Sequence, residues 1–189
     1  HPYFCLGAPY RNKKSIWKLR EEVVKRLIKV NNYLLSRKNK LQLLIYDSWR
    51  PLEVQEFMFR RAFNLECEKL DIDPYLKDMQ SYPLIIKKVE KFWAYPSYNE
   101  KCPPPHSTGG ALDVCLSDEY GNPIKMGSNI DQMDDSSKPN FYENFCDEES
   151  IIWNTRRNIL RESMAKFGFA QHPNEWWHFS YGDQLWAWK

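Results

Sequence analysis

Between Tyr95 and Pro105 the chain carries prolines at 96, 103, 104 and 105, and soon afterwards a Gly109-Gly110 pair. Each proline removes a backbone donor and restricts the residue before it, so this stretch cannot be helix or sheet interior. The spacing predicts a rigid approach loop in mid-chain. Ala111–Leu116, which follows the glycines, reads as a short buried strand.

Upstream of the loop, Ile16, Leu19, Val23, Leu27, Val30 and Leu34 recur at three- and four-residue steps and predict a helix over about residues 15–36. Leu41–Tyr46 follows as a β-like run. Pro51 suits the first turn of a second helix ending near Leu70, with Val54, Phe57, Met58, Arg61 and Leu65 on its buried side. A polar stretch from Asp71 to Pro83 leads to a further helix, Leu84 to Trp93. Downstream, Asp118–Pro123 reads as a turn and Ile124–Met126 as the second arm of a hairpin. A helix from Asp147, with Ile152, Thr155, Ile159, Met164 and Phe167 on one face and Gly168 past its end, precedes a last strand at Trp176–Tyr181. This order lacks the regular alternation of a parallel sheet. It predicts an α+β fold, helices packed on a small, mostly antiparallel sheet.

With 189 residues, 42% of them hydrophobic, the expectation is one domain spanning residues 1–189. A net charge of +2 with no long basic run gives no reason to expect nucleic acid or an anionic membrane as partner. No apolar run approaches the ~20 residues of a membrane-spanning helix. Five scattered cysteines, Cys5, Cys67, Cys102, Cys115 and Cys146, form no C-x-x-C pair and read as reduced, mostly structural thiols. That usage fits a cytoplasmic location, and the opening His1, not a methionine, is compatible with a preceding segment.

The chain has four histidines, and two lie in structured contexts: Pro-Pro-Pro-His106-Ser-Thr-Gly-Gly-Ala-Leu-Asp113 and Asn-Glu175-Trp-Trp-His178-Phe. Imidazole and carboxylate are zinc ligands, and a catalytic site needs three of them plus an open position. His106, Asp113 and His178 supply that count. Residues seven apart on a straight strand stand roughly 23 Å apart on opposite faces, so the glycine pair must fold His106 back over the strand. Glu175 and His178, three apart, fit one helical face or a bent strand entry, and Trp176, Trp177, Phe179 and Tyr181, which favour β structure, point to a bend at Asn174–Glu175 leading into a strand. Each residue also has a plain reading: a hydrogen-bonded core histidine, an aspartate paired with an arginine, a surface glutamate. His172 reads as a loop histidine.

The runs Leu44-Ile-Tyr-Asp-Ser-Trp-Arg50-Pro, His106-Ser-Thr-Gly-Gly-Ala-Leu-Asp113, Met126-Gly-Ser-Asn-Ile-Asp131 and Glu175-Trp-Trp-His178 together resemble, in order and spacing, the D-alanyl-D-alanine dipeptidase family. These are VanX-like zinc peptidases related to zinc D,D-carboxypeptidases and the Hedgehog signalling domain. The resemblance implies a Hedgehog/DD-peptidase-like fold and one zinc ion on His106, Asp113 and His178. It further implies Glu175 as general base, Arg50 facing the substrate, and hydrolysis of D-alanyl-D-alanine, a small dipeptide partner. A dipeptide's ammonium needs an acid, and Asp131 is the candidate, with a turn-capping aspartate as its plain alternative. Two departures stand out: Pro104 where relatives often carry serine, and Ile130 for the usual phenylalanine. A carboxypeptidase or endopeptidase acting on longer peptides, and a zinc-stabilised binding module without catalysis, are the competing functions.

Overall fold

The computed structural model describes residues 1–11 and 16–188. Along the chain come α1 (Pro2–Cys5), α2 (Glu21–Ser36), β1 (Gln42–Asp47), α3 (Leu52–Glu68), α4 (Pro83–Val89), β2 (Ala111–Ser117), α5 (Glu148–Lys166), β3 (Ala170–Gln171), β4 (His178–Ser180) and α6 (Gln184–Trp188). The strands form one sheet in the order β1-β2-β4-β3, every pair antiparallel. The fold is α+β, as the element order predicts.

β2 is buried along its whole length because it lies between two strands with helices packed outside. Leu112, Val114 and Leu116 join Val23, Leu27, Val30 and Leu34 of α2 and Leu160 and Met164 of α5 in one apolar cluster. Each such side chain, removed from water, contributes about 1.5–3 kcal/mol. Asp113 alternates with Leu112 and Val114 and so points to the opposite face. A second cluster, centred on Val54, Met58, Phe59 and Phe63 of α3 and Ile85 and Val89 of α4, gathers Tyr3, Tyr10 and Trp93.

Register decides what meets Asp113. β1 pairs with β2 regularly from Gln42↔Ser117 to Ile45↔Val114, then shifts by one residue so that Asp47 stands opposite Asp113. On the other side Asp113 pairs with His178. Directly opposed residues of antiparallel strands share a face, so the bulge in β1 places Asp47, Asp113 and His178 together.

Several elements depart from the sequence expectation, each for a visible reason. α2 begins at Glu21, not near residue 15, which lies outside the described residues. The chain just before it is used as a strap instead: the Arg20 N–H donates to the Gly109 carbonyl at 3.0 Å and the Trp49 N–H to the Lys18 carbonyl at 3.0 Å. Ile16 consequently packs in the second cluster. On α3, Arg61 is exposed and Leu65 is 39% exposed, whereas Gln55 and Glu66 are buried. Glu66 tolerates burial because Lys69 and Lys88 both reach its carboxylate. The hairpin arm at Ile124–Met126 is reduced to a Ser117↔Pro123 bridge and one bond from the Ile124 N–H to the Leu116 carbonyl. Beyond that, Arg156 and Arg157 side chains take the Lys125 and Met126 carbonyls. α5 starts as expected, with Asp147 capping the Ser150 N–H. Its buried face, however, runs through Arg157, Leu160, Ser163 and Met164, and Ile152 is outside. All five cysteines are free; Cys67 and Cys115 are buried and the other three exposed. No helix among the described residues is long and apolar enough to cross a membrane.

Candidate metal centre and active site

His106 sits in a 3₁₀ turn, Pro105–Thr108, closed by Gly109 in the left-handed region at φ 71°. Thr108 locks the turn, its hydroxyl donating to the Pro105 carbonyl at 2.7 Å and accepting from the Gly110 N–H at 2.9 Å. Gly110 is needed for a different reason: a Cβ there would stand 2.9 Å from the Tyr181 carbonyl oxygen. One glycine supplies the turn and the other the close approach, and together they bring His106 back over the strand bearing Asp113. At the other end of the site, a turn at Pro173–Asn174 is closed by a bond from the Asn174 N–H to His172 Nδ1 at 3.3 Å. The chain bends again at Trp176 and Trp177 before β4 begins at His178.

These turns bring three ligand atoms into a triangle. His106 Nε2 lies 3.2 Å from His178 Nδ1 and 3.4 Å from Asp113 Oδ1, and the latter two atoms are 3.2 Å apart. Donors held about 2.0–2.1 Å from a tetrahedral zinc stand about 3.3 Å from one another, so the triangle fits such an ion. Asp113 Oδ1 is buried and accepts no hydrogen bond, an omission that a cation at the triangle's centre explains. His106 Nδ1 donates to the Ser48 carbonyl at 2.7 Å, which fixes the ring and leaves the Nε2 lone pair available to a metal ion. Burial holds His178 below its ordinary pKa, favouring the neutral form that ligates metals. Burial alone would raise the Asp113 carboxyl; the adjoining imidazoles hold it well below the usual carboxylate range.

Glu175 is 4% exposed, with Oε2 3.6 Å from His178 Nδ1. Burial first, then the charges of Asp113 and Asp131, push its carboxyl well above the ordinary range, with Arg50 opposing. Arg50 lies across the cavity. Its Nε and Nη2 donate to Asp47 Oδ2 at 2.9 and 2.6 Å, and its Nη1 donates to Gln55 Oε1 at 2.8 Å. The guanidinium stacks between Tyr3 and Trp93, 5.1 and 5.0 Å from their ring centroids, and Nη2 is 3.5 Å from Asp113 Oδ2. Burial opposes its charge, but Asp47 raises its pKa further, so it is a fixed cation. Asp131 adopts φ 65° and accepts from the Tyr3 hydroxyl at 3.0 Å. Burial, and after it Asp113, pushes the Asp131 carboxyl up to about 7.

All six residues singled out from the sequence line one cavity of about 50 Å³, along with Gln55, Phe92, Trp93, Ala94, Pro105, His172 and Trp177. Sequence reasoning missed the support for Arg50. Asp47 stands three residues before it in the same quoted run and was there to be read as a partner; Tyr3, 128 residues from Asp131, left no local signal. His172, read as a loop residue, lines the cavity, its Nδ1 3.9 Å from Glu175 Oε1.

The class that this fold and this centre define is that of the metallopeptidases. Residues 11–189 match the profile of the peptidase family described as D-ala-D-ala dipeptidase, and the chain belongs to that family. A D-alanyl-D-alanine dipeptidase of Synechocystis sp. is 37% identical over all of this chain and 78% of its own length. Those of Escherichia coli and Enterococcus faecalis are each 28% identical, over 77% and 75% of this chain. The matched region spans only 58% and 63% of those two relatives. Solved structures share the fold. A vancomycin-resistance D,D-pentapeptidase VanY mutant in complex with Zn(II) superposes with a TM-score of 0.52 at 14% identity, over 89% of this chain and 79% of that one. VanYB in complex with D-alanine-D-alanine gives 0.52 at 15%, over 95% and 82%.

Proposed function

We propose that this chain hydrolyses the dipeptide D-alanyl-D-alanine to two molecules of D-alanine, with one zinc ion held by His106, Asp113 and His178. Residues 1–189 are read as a single catalytic domain. When bound, zinc supplies Lewis acidity toward the scissile carbonyl and acidifies water, whose pKa falls from about 16 toward ~7 in such sites.

The remaining steps belong to the chain's own side chains. Glu175 takes a proton from the attacking water as its oxygen bonds to the peptide carbon, and returns that proton to the leaving amine as the C–N bond breaks. Its burial makes the protonated intermediate state accessible. Negative charge growing on the former carbonyl oxygen is met by Arg50. Of its five N–H groups three are committed to Asp47 and Gln55, and two on the Nη atoms remain. Asp131 faces the substrate ammonium.

One observation carries the choice of a dipeptide: the triad opens into a cavity of about 50 Å³ walled by Phe92, Trp93 and Ala94. That is several times the ~10–15 Å³ one water requires, and a narrow pocket of this kind favours a small substrate. The names of the relatives agree with it. D-Alanine release is to be measured on zinc-loaded protein with the dipeptide and with a pentapeptide ending in D-alanyl-D-alanine. Turnover of the dipeptide alone is expected. Cleavage of the pentapeptide only would transfer the site to the carboxypeptidase reading, and zinc binding without turnover of either would leave a binding module.

A further inference from the structure

Arg157, in the middle of α5, is 1% exposed, yet among the described residues no carboxylate lies in ion-pair range of it. Its Nε donates to the Met126 carbonyl at 2.7 Å, its Nη1 to the Ser136 and Lys138 carbonyls at 2.9 and 2.8 Å, and its Nη2 to Ser128 Oγ at 3.0 Å. All four acceptors belong to residues 126–138, a stretch whose regular structure is a single 3₁₀ turn, Asp135–Ser137. Asp131 lies in it.

The same stretch is clamped to the neighbour of Glu175. Ser128 Oγ accepts from Trp176 Nε1 at 3.0 Å as well as from Arg157, and donates to the Ser136 carbonyl at 3.1 Å, which uses the full capacity of a hydroxyl. The Trp176 N–H donates to the Ser137 carbonyl at 2.8 Å. Tyr142 and Trp176 cover the guanidinium at 4.7 and 5.3 Å, and the Tyr142 hydroxyl donates to the Gly127 carbonyl at 2.8 Å.

We propose that Arg157 is a positioning residue for substrate-amine recognition: by gathering the carbonyls of residues 126, 136 and 138 around one guanidinium, it aims Asp131 into the cavity. The inference rests on the reading of Asp131 as the ammonium partner. Asp131 gains from such a hold, because φ 65° is less favourable than the right-handed region for any non-glycine residue, although aspartate adopts it more readily than most. The choice of arginine points the same way. Burial pushes Arg157 down to about 10, a cost that an apolar side chain of similar volume would avoid. An apolar side chain, however, would take its donor from the Met126 carbonyl and remove one of two donors from the Ser136 and Lys138 carbonyls and from Ser128 Oγ.

The test uses the zinc-loaded full chain, wild type and Arg157→Lys, each also carrying Asp131→Asn, with kcat, KM for the dipeptide and zinc content measured for all four. Arg157→Lys keeps the charge and loses the fork, so KM is expected to rise about tenfold or more, equivalent to about 1.4 kcal/mol of binding. Its kcat should stay within about threefold of wild type and its zinc content should be unchanged. On the Asp131→Asn background the same substitution should add no further rise, since both act through one carboxylate. If Arg157→Lys fails to fold, Ser128→Ala removes one acceptor of Arg157, together with the bonds to Trp176 Nε1 and the Ser136 carbonyl, without touching the helix, and should raise KM a few-fold, again only when Asp131 is present. An unchanged KM, or an equal penalty with and without Asp131, overturns the inference alone. An Asp131→Asn protein with wild-type KM overturns the reading of Asp131 and the inference together.

Discussion

At the scale of single residues, the site is a set of buried charges whose protonation follows from their neighbours. Glu175 is surrounded by carboxylates and apolar walls, so it holds a proton well above the ordinary range and can release it to a leaving amine. Glu175→Ala should retain zinc by metal analysis and lose about 100- to 10,000-fold in D-alanine release; an active variant would assign the base elsewhere. Asp131, pushed up to about 7 by burial, is neutral in more acidic solution and then gives up its attraction for the ammonium. KM for the dipeptide should therefore rise as pH falls below about 7, and this limb should vanish in Asp131→Asn. Stability carries the opposite mark. A carboxyl with a folded pKa of about 7 and an unfolded one of about 3.9 holds a proton only in the folded state between those values, so the metal-free protein loses stability as pH rises through that window. The loss is about 4 kcal/mol at most, and thermal unfolding of wild type against Asp131→Asn measures it. The six residues singled out from the sequence were legible because each sits in a compact run of unusual residues. Tyr3 and Gln55 were not, since neither belongs to such a run and their partners are fixed by packing.

At the scale of elements, the site depends on backbone devices more than on regular structure. Gly110→Ala should force apart the 3₁₀ turn and the chain leaving β4, because the new Cβ meets main chain at 2.9 Å and main chain cannot rotate away. A cost of about 1–3 kcal/mol is expected, with weaker zinc retention on dialysis. A variant with wild-type stability and metal content would show that the turn can relax. The glycine pair was readable as a fold-back signal, but not that its two members act differently. α2 was readable from its apolar stripe, yet its start was not, because the residues ahead of it are committed to Gly109 and Trp49. The buried face of α5 was likewise displaced by Arg157, a residue that polarity alone puts outside.

At the scale of the whole molecule, one ion is expected to join pieces of chain that are 72 residues apart, from the turn before β2 to the start of β4. Removing it leaves Asp113 Oδ1 buried without a hydrogen-bond donor. Chelation should therefore lower the unfolding temperature. Zinc at about 100 times its dissociation constant adds about 2.7 kcal/mol. For a chain of this size, each kcal/mol moves the transition by about 2–4 °C. Readdition should restore it, and a transition indifferent to chelator would count against a shared ion. By itself the sequence determined the α+β element order, the family, and the residues with the chemistry for a metal and a base, because periodicity and scarce residue types are local properties. Only the tertiary structure decided the bulge that sets Asp47 against Asp113, the cradle of Arg50, and the clamp of Arg157 on the Asp131 loop. Those depend on which distant groups come within hydrogen-bonding distance, and that is settled by packing.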